Sequence, residues 1–412
     1  MKRRSVLKGL TSGVAVGGGG ILWAPNASAK APHNDYFSKL NESLKRDGPG
    51  RPVMILDEDA INHNVDLISA SVGSKKNYRV VVKSLPSLRL LQHVANRSKT
   101  SSLMVFHQPF LNAVAEKMPE MDVLLGKPLP VNAVRAFYAR LGRSSYDAAN
   151  QIQWLIDSGH RLEQYMRLSK ELGVAMKFNF EINVGLHRGG FDDPEQIASL
   201  ISKMQESSAV VSVSGLMGYE PHLTGQKASL NDQSVQQVLT IYRGFKERLS
   251  DSGMDLENLS FNGAGSHTLK IYEKDNTMND LSAGSAVVMP TDFDTHHLSG
   301  NRPACFIAAP VLKRYEGNPY MSDPPRNMER LYYIYGGYWK SKIASPDEIG
   351  DPIYQSTNQS PITTALDVDL QVDDYVFYRP TQSEHVMLQF GDLLVVSKGN
   401  IETRWPVFQQ TG

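Results

Sequence analysis

The sequence predicts an α/β fold, a parallel (β/α)8 TIM-type barrel over residues 51–292 followed by an all-β domain over 293–412. Two observations carry that prediction. Short apolar, β-rich runs alternate with longer amphipathic segments, the pattern of βα units wound around a parallel sheet. Beyond Asp292 the texture changes to β-branched and aromatic runs broken by Pro, Gly and Asn. Eight runs make up the first part, at 78–83, 102–107, 122–126, 151–157, 175–183, 211–219, 259–265 and 286–292. Eight strands with helices between them fit one closed barrel, and an open doubly wound sheet is the alternative that the pattern leaves standing.

The chain opens MKRRSVLKGL, continues with a glycine-diluted apolar run over 14–23, and reaches Ala27-Ser28-Ala29, a small-residue cleavage pattern. Arg3 and Arg4 with Leu7 and Lys8 match the twin-arginine type of export signal, which carries already folded proteins across the bacterial inner membrane. Residues 1–29 are expected to be this signal and the mature protein to be periplasmic. The apolar run is shorter than the ~20 residues of a spanning helix, so no membrane anchor is expected.

The only cysteine, Cys305, permits no internal disulfide, so a packed core must stabilise a chain bound for an oxidising compartment. Lysine and arginine number 43 and aspartate and glutamate 43, with no basic run beyond the signal. Nucleic acid and anionic membrane surfaces are disfavoured as partners, which leaves a small-molecule substrate.

After a polar lead over 30–50, the strand-like 52–56 precedes the first barrel helix, and residues 36–56 are candidates to pair with the second domain. Helices are expected at 88–96, 159–172, 193–206 and 234–250, where apolar residues recur at helical spacing opposite lysines and arginines. Strands of the second domain are expected at 304–312, 331–335, 375–378 and 393–397.

Reactive groups of a β/α barrel sit where strands end, so the polar residue closing each run is the informative one. The first run ends VVVKSLPS, placing Lys83 after three valines in what reads as barrel interior. Burial pushes a lysine toward the neutral amine that forms Schiff bases, although a lysine snorkelling to the rim fits equally well. The seventh run ends in FNGAGSHT, a turn able to aim backbone N–H groups and hydroxyls at one anion: Asn262, Gly263, Gly265 and Ser266 are candidates for a phosphate cradle. A glycine turn alone signals little more than a tight bend, and its conjunction with Lys83 gives it weight.

The fifth run, FNFEINVGLHRGGF, offers Glu181, Asn183, His187 and Arg188, and the sixth, GLMGYEPH, offers Tyr219, Glu220 and His222. Arginine suits a carboxylate or an aromatic oxygen, and tyrosine or histidine can stack on a ring or move a proton. A plain Glu181–Arg188 pair and ordinary polar histidines are the alternatives. His107 and Asp157 close the second and fourth runs and carry less weight.

In this order the motifs resemble the pyridoxal-phosphate enzymes with an alanine-racemase-like (fold type III) barrel, and within them the D-threonine aldolase and D-serine dehydratase branch. The resemblance runs through RPVMILDEDAINHNVDLI, VVVKSLPS, EINVGLHRGGF, GLMGYEPH, FNGAGSHT, LSAGSAVVMPTDF and SEHVMLQFGDLLVV, over roughly 52–397. It implies pyridoxal 5'-phosphate carried by Lys83, which also acts as a base at the substrate Cα. It implies Arg188 ordering the site, Tyr219 and His222 flanking substrate or ring, and Gly263, Gly265, Ser266, Gly284 and Ser285 holding phosphate, with His187 and Asn262 beside the cofactor. Gly284-Ser285 is taken as the turn before the last barrel strand. A homodimer whose partner's β-domain completes the site is implied as well.

The chain departs from that pattern twice. Where alanine racemases carry an arginine that pairs with the pyridine nitrogen, this chain reads LSAGS, with Ser282 near the position. Where the lyase branch carries a His-x-Cys or His-x-Asp metal pair, the matching stretch reads SKGNIE, with Asn400 and Glu402 as oxygen donors only, so no metal site is expected. Glu384 and His385 match the branch. The expected activity is a lyase acting on D-configured β-hydroxy amino acids such as D-threonine or D-serine. The alternatives are an amino-acid racemase, with Tyr338 of the partner as second base, and a non-catalytic carrier of the cofactor.

Overall fold

The computed structural model describes residues 31–410 except 143, 225–226, 348 and 350–352, and the expected export signal lies outside the described residues. The strands in chain order are β1 (Val53–Asp57), β2 (Asn77–Val81), β3 (Ser102–Val105), β4 (Asp122–Leu125), β5 (Ile152–Ile156), β6 (Met176–Glu181), β7 (Val211–Met217), β8 (Ser260–Gly263) and β9 (Asp280–Ala283). The second domain adds β10 (Cys305–Tyr315), β11 (Arg330–Tyr335), β12 (Ser341–Ser345), β13 (Gln359–Thr364), β14 (Tyr375–Pro380), β15 (Asp392–Ser397) and β16 (Asn400–Pro406).

Strands β2 to β9 pair in sequence, all parallel, and β9 returns to β2 with Asn77 opposite Asp280, so the ring is closed. Closure decides between the barrel and the open sheet. Among the connecting helices are Leu88–Ser98, Gly159–Leu172, Pro194–Gln205 and Gln233–Asp251, within a residue or two of the amphipathic segments. Side-chain caps set several starts: Ser158 accepts from the Arg161 N–H and Asp193 from the Glu195 N–H.

The eighth barrel strand is β9, not the run 286–292. Asp280 and Ser282 both turn inward, where Asp280 accepts from Arg79 Nε at 2.7 Å and Ser282 bonds Asn262, so polar residues occupy this strand's inner face. The apolar residues that followed them belong instead to a single helical turn, Ser285–Val288, inserted after the strand. Gly284-Ser285 consequently follows the last barrel strand and lies at the C-terminal mouth.

The opposite end of the barrel is plugged. Arg79, 2% exposed, lies 2.7 Å from both Asp122 and Asp280, which open β4 and β9. A buried guanidinium satisfied by two carboxylates holds three strands in register, and loss of one partner is expected to cost about 3–5 kcal/mol.

The second sheet runs β12-β14-β10-β1-β15-β16, with β11 between β10 and β13. Strand β1, from before the barrel, lies antiparallel to β10 and parallel to β15. Its residues 53–56 are all apolar because both faces are covered: Met54 and Leu56 join the barrel-side core, while Val53 and Ile55 pack with Phe37, Leu40 and Leu44 of helix Asp35–Asp47. Among the described residues no helix is long and apolar enough to cross a membrane.

Candidate active site

The run 78–83 divides. Strand β2 ends at Val81 and a short 3-10 turn, Val82–Ser84, lifts Lys83 onto the barrel mouth, so its side chain is 44% exposed rather than buried in the interior. Lys83 Nζ lies 2.8 Å from Glu384 Oε1 and 5.1 Å from the centre of the Phe106 ring. Around it opens a cavity at the barrel mouth.

One side of that cavity is a hydroxyl-rich cradle made by the ends of β2, β8 and β9. Ser285 Oγ donates to Ser84 Oγ at 3.0 Å, and Ser266 Oγ accepts from the N–H groups of Gly284 at 3.2 Å and Ala286 at 3.0 Å. The glycines permit this approach. A Cβ on Gly284 would sit 2.8 Å from Val81 Cβ, and one on Gly265 would sit 2.7 Å from a Tyr219 ring carbon. Asn262 and Ser282 bond each other nearby, with Asn262 Nδ2 donating to Ser282 Oγ at 2.9 Å. Both line the cavity.

Behind the cradle stands Glu220, fully buried. Its Oε1 accepts from Thr268 Oγ1 at 2.6 Å, and that hydroxyl accepts from the Gly265 N–H at 3.0 Å, so the carboxyl holds the turn after β8 from outside the cavity. Burial pushes its pKa up to about 7, opposed by the Thr268 hydrogen bond.

Arg188 is delivered by a shaped loop. After β6, Asn183 Oδ1 accepts from the N–H groups of Gly185 and His187, and the chain returns where Phe191 N–H reaches Glu181 O at 2.8 Å. Arg188 lies over the Tyr219 ring, 5.1 Å from its centre. Burial raises the Glu181 carboxyl above its ordinary range while Arg188 draws it down, and burial raises the Tyr219 phenol with Glu220 adding to the effect. Met104, Phe106, Met217 and Phe293 supply apolar wall, and Gly126 leaves room for the Phe106 ring, which a Cβ there would meet.

Of the residues singled out in the sequence, Lys83, Arg188, Tyr219, Asn262, Gly265, Ser266, Gly284 and Ser285 line this cavity. Gly263, His187 and His222 do not. A Cβ on Gly263 would meet Met278. His187 has φ 56°, which swings it out to solvent beside Asn183, and His222 sits exposed on the turn Pro221–Leu223 against Gly185. Burial lowers the His222 pKa, with His187 adding to it. His107 starts helix Gln108–Lys117 edge-on to Phe110, and Asp157 accepts from Ser158; neither lines the cavity.

Asn400 and Glu402 are exposed on β16, and Tyr338 is 68% exposed between β11 and β12; none of the three lines the cavity. Among the described residues no group of three or more His, Cys, Asp or Glu is placed to hold a metal ion. Phe106 and Ser84 line the cavity without having been singled out. Strand phase carries the signal for Phe106, since Met104 and Phe106 alternate inward while His107 points away.

The fold recurs in solved structures. D-threonine aldolase from Filomicrobium marinum is 15% identical with a TM-score of 0.72, covering 88% of this chain and 98% of that one. D-threo-3-hydroxyaspartate dehydratase from Delftia sp. HT23 is 12% identical with a TM-score of 0.69, covering 86% and 97%. An alanine racemase from Clostridium difficile 630 is 14% identical with a TM-score of 0.63, covering 86% and 98%. At these identities the likeness shows shared architecture. No curated protein matches the chain significantly in sequence. The family model described as alanine racemase, N-terminal domain, matches residues 56–291, more than half of the chain and nearly the whole barrel. The chain belongs to the alanine racemase N-terminal domain family.

Proposed function

We propose that this chain is a pyridoxal-phosphate-dependent lyase, exported by the twin-arginine route, that acts on D-configured β-hydroxy amino acids such as D-threonine or D-serine. The observation that carries the reading is one cavity holding a lysine amine and a serine cradle together, Lys83 beside Ser84, Ser266 and Ser285. The residues fit the cofactor: a Cβ at Gly265 or Gly284 would crowd the cradle that three hydroxyls and several backbone N–H groups surround. Family membership and the likeness to an aldolase and a dehydratase support the same class.

Lys83 would hold the cofactor, the cradle its phosphate, and Asn262 with Ser282 the ring edge. When bound, pyridoxal phosphate delocalises the electron pair left on the substrate Cα. Lys83 moves the proton at Cα, Arg188 binds the substrate carboxylate or a ring oxygen, and Phe106 with Met217 keeps water from that face. By the resemblance, neutral Ser282 is near the position where alanine racemases carry an arginine, which weakens the electronic case for strict racemisation. The reading includes a homodimer, and the exposed Tyr320, Tyr335 and Tyr338 on the β-domain supply apolar area of the kind a second subunit covers.

Proton NMR in heavy water, following both enantiomers of threonine, serine and alanine, tests the activity. Glycine with aldehyde, or a keto acid, is the expected product. Accumulation of the opposite enantiomer would make the protein a racemase, and bound cofactor without any exchange of α-protons would make it a carrier. Lys83→Ala is expected to abolish the visible absorbance of bound cofactor, a loss that is read without substrate.

A further inference from the structure

We propose that Glu384 is the acid–base residue for the substrate's β-hydroxyl and that the Glu384–Lys83 contact relays the proton from that hydroxyl to Cα; this rests on the lyase reading above. Among the described residues Glu384 is the only carboxylate lining the cavity, where the other ionic side chains are Lys83 and Arg188. Its Oε1 is one hydrogen bond, 2.8 Å, from Lys83 Nζ, and its side chain is 36% exposed, open to a ligand in the cavity.

The carboxylate is held at the mouth by the second domain of the same chain. It begins the short helix Glu384–Leu388 just after β14, and buried Val386 and Met387 anchor that helix in the core. The connecting residues are tied to the barrel side, with Gln382 Nε2 donating to Asp292 Oδ2 at 2.8 Å and Asp292 N–H to Thr381 O at 3.2 Å. Arg379 clamps Asp294 from the end of β14 at 2.6 Å. A freely moving surface glutamate would need none of these ties.

Position assigns the task. A base serving Cα must lie close to it, within about 3–3.5 Å, and that place belongs to Lys83. A group one hydrogen bond beyond Lys83 reaches the substituents of Cα, and in a β-hydroxy amino acid the substituent whose proton must leave for Cα–Cβ cleavage is the hydroxyl on Cβ. Retro-aldol cleavage takes one proton from that oxygen and adds one to Cα. The Glu384 carboxylate accepts the hydroxyl proton, the C–O bond becomes a carbonyl, and the Cα–Cβ pair passes to Cα as the aldehyde leaves. The proton then crosses from Glu384 to Lys83, and Lys83 delivers it to Cα, giving glycine. Both residues end as they began, and no external acid, base or oxidant is consumed.

The test separates the two halves of the relay. Glu384→Gln, reconstituted with cofactor, is measured for D-threonine cleavage and for exchange of a glycine α-proton in heavy water. Cleavage is expected to fall about 10²–10⁴-fold, the usual worth of a positioned acid–base group. Glycine exchange, which needs Lys83 alone, is expected to stay within several-fold of wild type, and the cofactor Kd from absorbance titration to stay within about threefold. Glu384→Asp is expected to recover part of the cleavage. Equal loss of cleavage and exchange would overturn the proposal, since Glu384 would then only position Lys83, and so would undiminished cleavage by Glu384→Gln. A wild-type chain that exchanges glycine but cleaves no β-hydroxy amino acid would instead sink the lyase reading, and the relay with it.

Discussion

Glu220 is fully buried, its Oε1 accepts from Thr268 Oγ1, and the backbone of Ala264 and of Glu220 itself also lends hydrogen-bonding to the carboxyl. Burial raises its pKa from 4.5 to about 7, so folding favours the protonated acid. The sign follows from linkage: this group's contribution to stability is fully present below pH 4.5 and is lost as pH rises through about 7. Glutamine keeps an oxygen for Thr268 and carries no charge. Glu220→Gln is therefore expected to be more stable than wild type at pH 8, by about 3 kcal/mol, and to lose that advantage by pH 4. Urea unfolding of both chains at pH 4, 6 and 8 checks it, and a gain independent of pH would mean the effect is packing. Glu220 also shows what is legible at this scale. A sequence places a polar residue at a strand end but not the direction of its side chain: Tyr219 faces the cavity and its neighbour Glu220 faces away. His187 is next to Arg188 in sequence and His222 three residues past Tyr219, yet a positive φ and an exposed turn carry the two histidines elsewhere.

Strands announce themselves by apolar alternation, and that signal fails where the inward face of a strand is polar. Seven barrel strands overlap the apolar runs, while β9 was hidden because Asp280 and Ser282 serve Arg79 and Asn262 inside the barrel. The turns following β8 and β9 differ in what their glycines touch, and this sets up a paired prediction. At Gly284 an added methyl meets Val81 Cβ and the Val81 carbonyl at 2.8 Å, groups fixed by the β2–β3 ladder, where Val81 is opposite Met104. Gly284→Ala is expected to destabilise the fold by about 1–3 kcal/mol as an overpacking change. At Gly265 the methyl meets the Tyr219 ring, a side chain that can swing. Gly265→Ala is expected to leave the unfolding midpoint nearly unchanged while weakening cofactor binding severalfold, because the displaced ring enters the cavity. Urea denaturation and cofactor titration on both variants separate the two; equal stability losses would show that the turn after β8 is as rigid as the ladder.

Across the whole molecule, the second sheet is threaded through the barrel's own chain order. Strand β1 is laid down before the barrel and becomes the centre of a sheet completed only by β10, β12, β14, β15 and β16. The change in texture after Asp292 makes an all-β region legible and the strand-like 52–56 is a candidate to pair with it, but which strands flank it is not legible, because pairing over some hundreds of residues leaves no local pattern. The residues that follow β16 reach back further still. Beyond β16, Phe408 stacks on Phe110 with centroids 4.3 Å apart and planes 17° apart, and its N–H donates to the carbonyl of Pro86 at 2.9 Å. Pro86 lies three residues past Lys83, in the segment leading from the lysine turn into helix Leu88–Ser98. Phe408, 6% exposed, thus ties the end of the chain to the loop that presents the lysine. Truncating so buried a ring is expected to cost about 3–5 kcal/mol. If the tail also fixes that loop, Phe408→Ala will raise the cofactor Kd at urea concentrations well below its unfolding midpoint, with the lysine turn losing amide-exchange protection before the rest of the barrel. Hydrogen exchange followed residue by residue, with and without cofactor, reads this directly. Uniform loss of protection across the barrel would show that Phe408 contributes only to global stability, and that the lysine turn is held by the barrel alone.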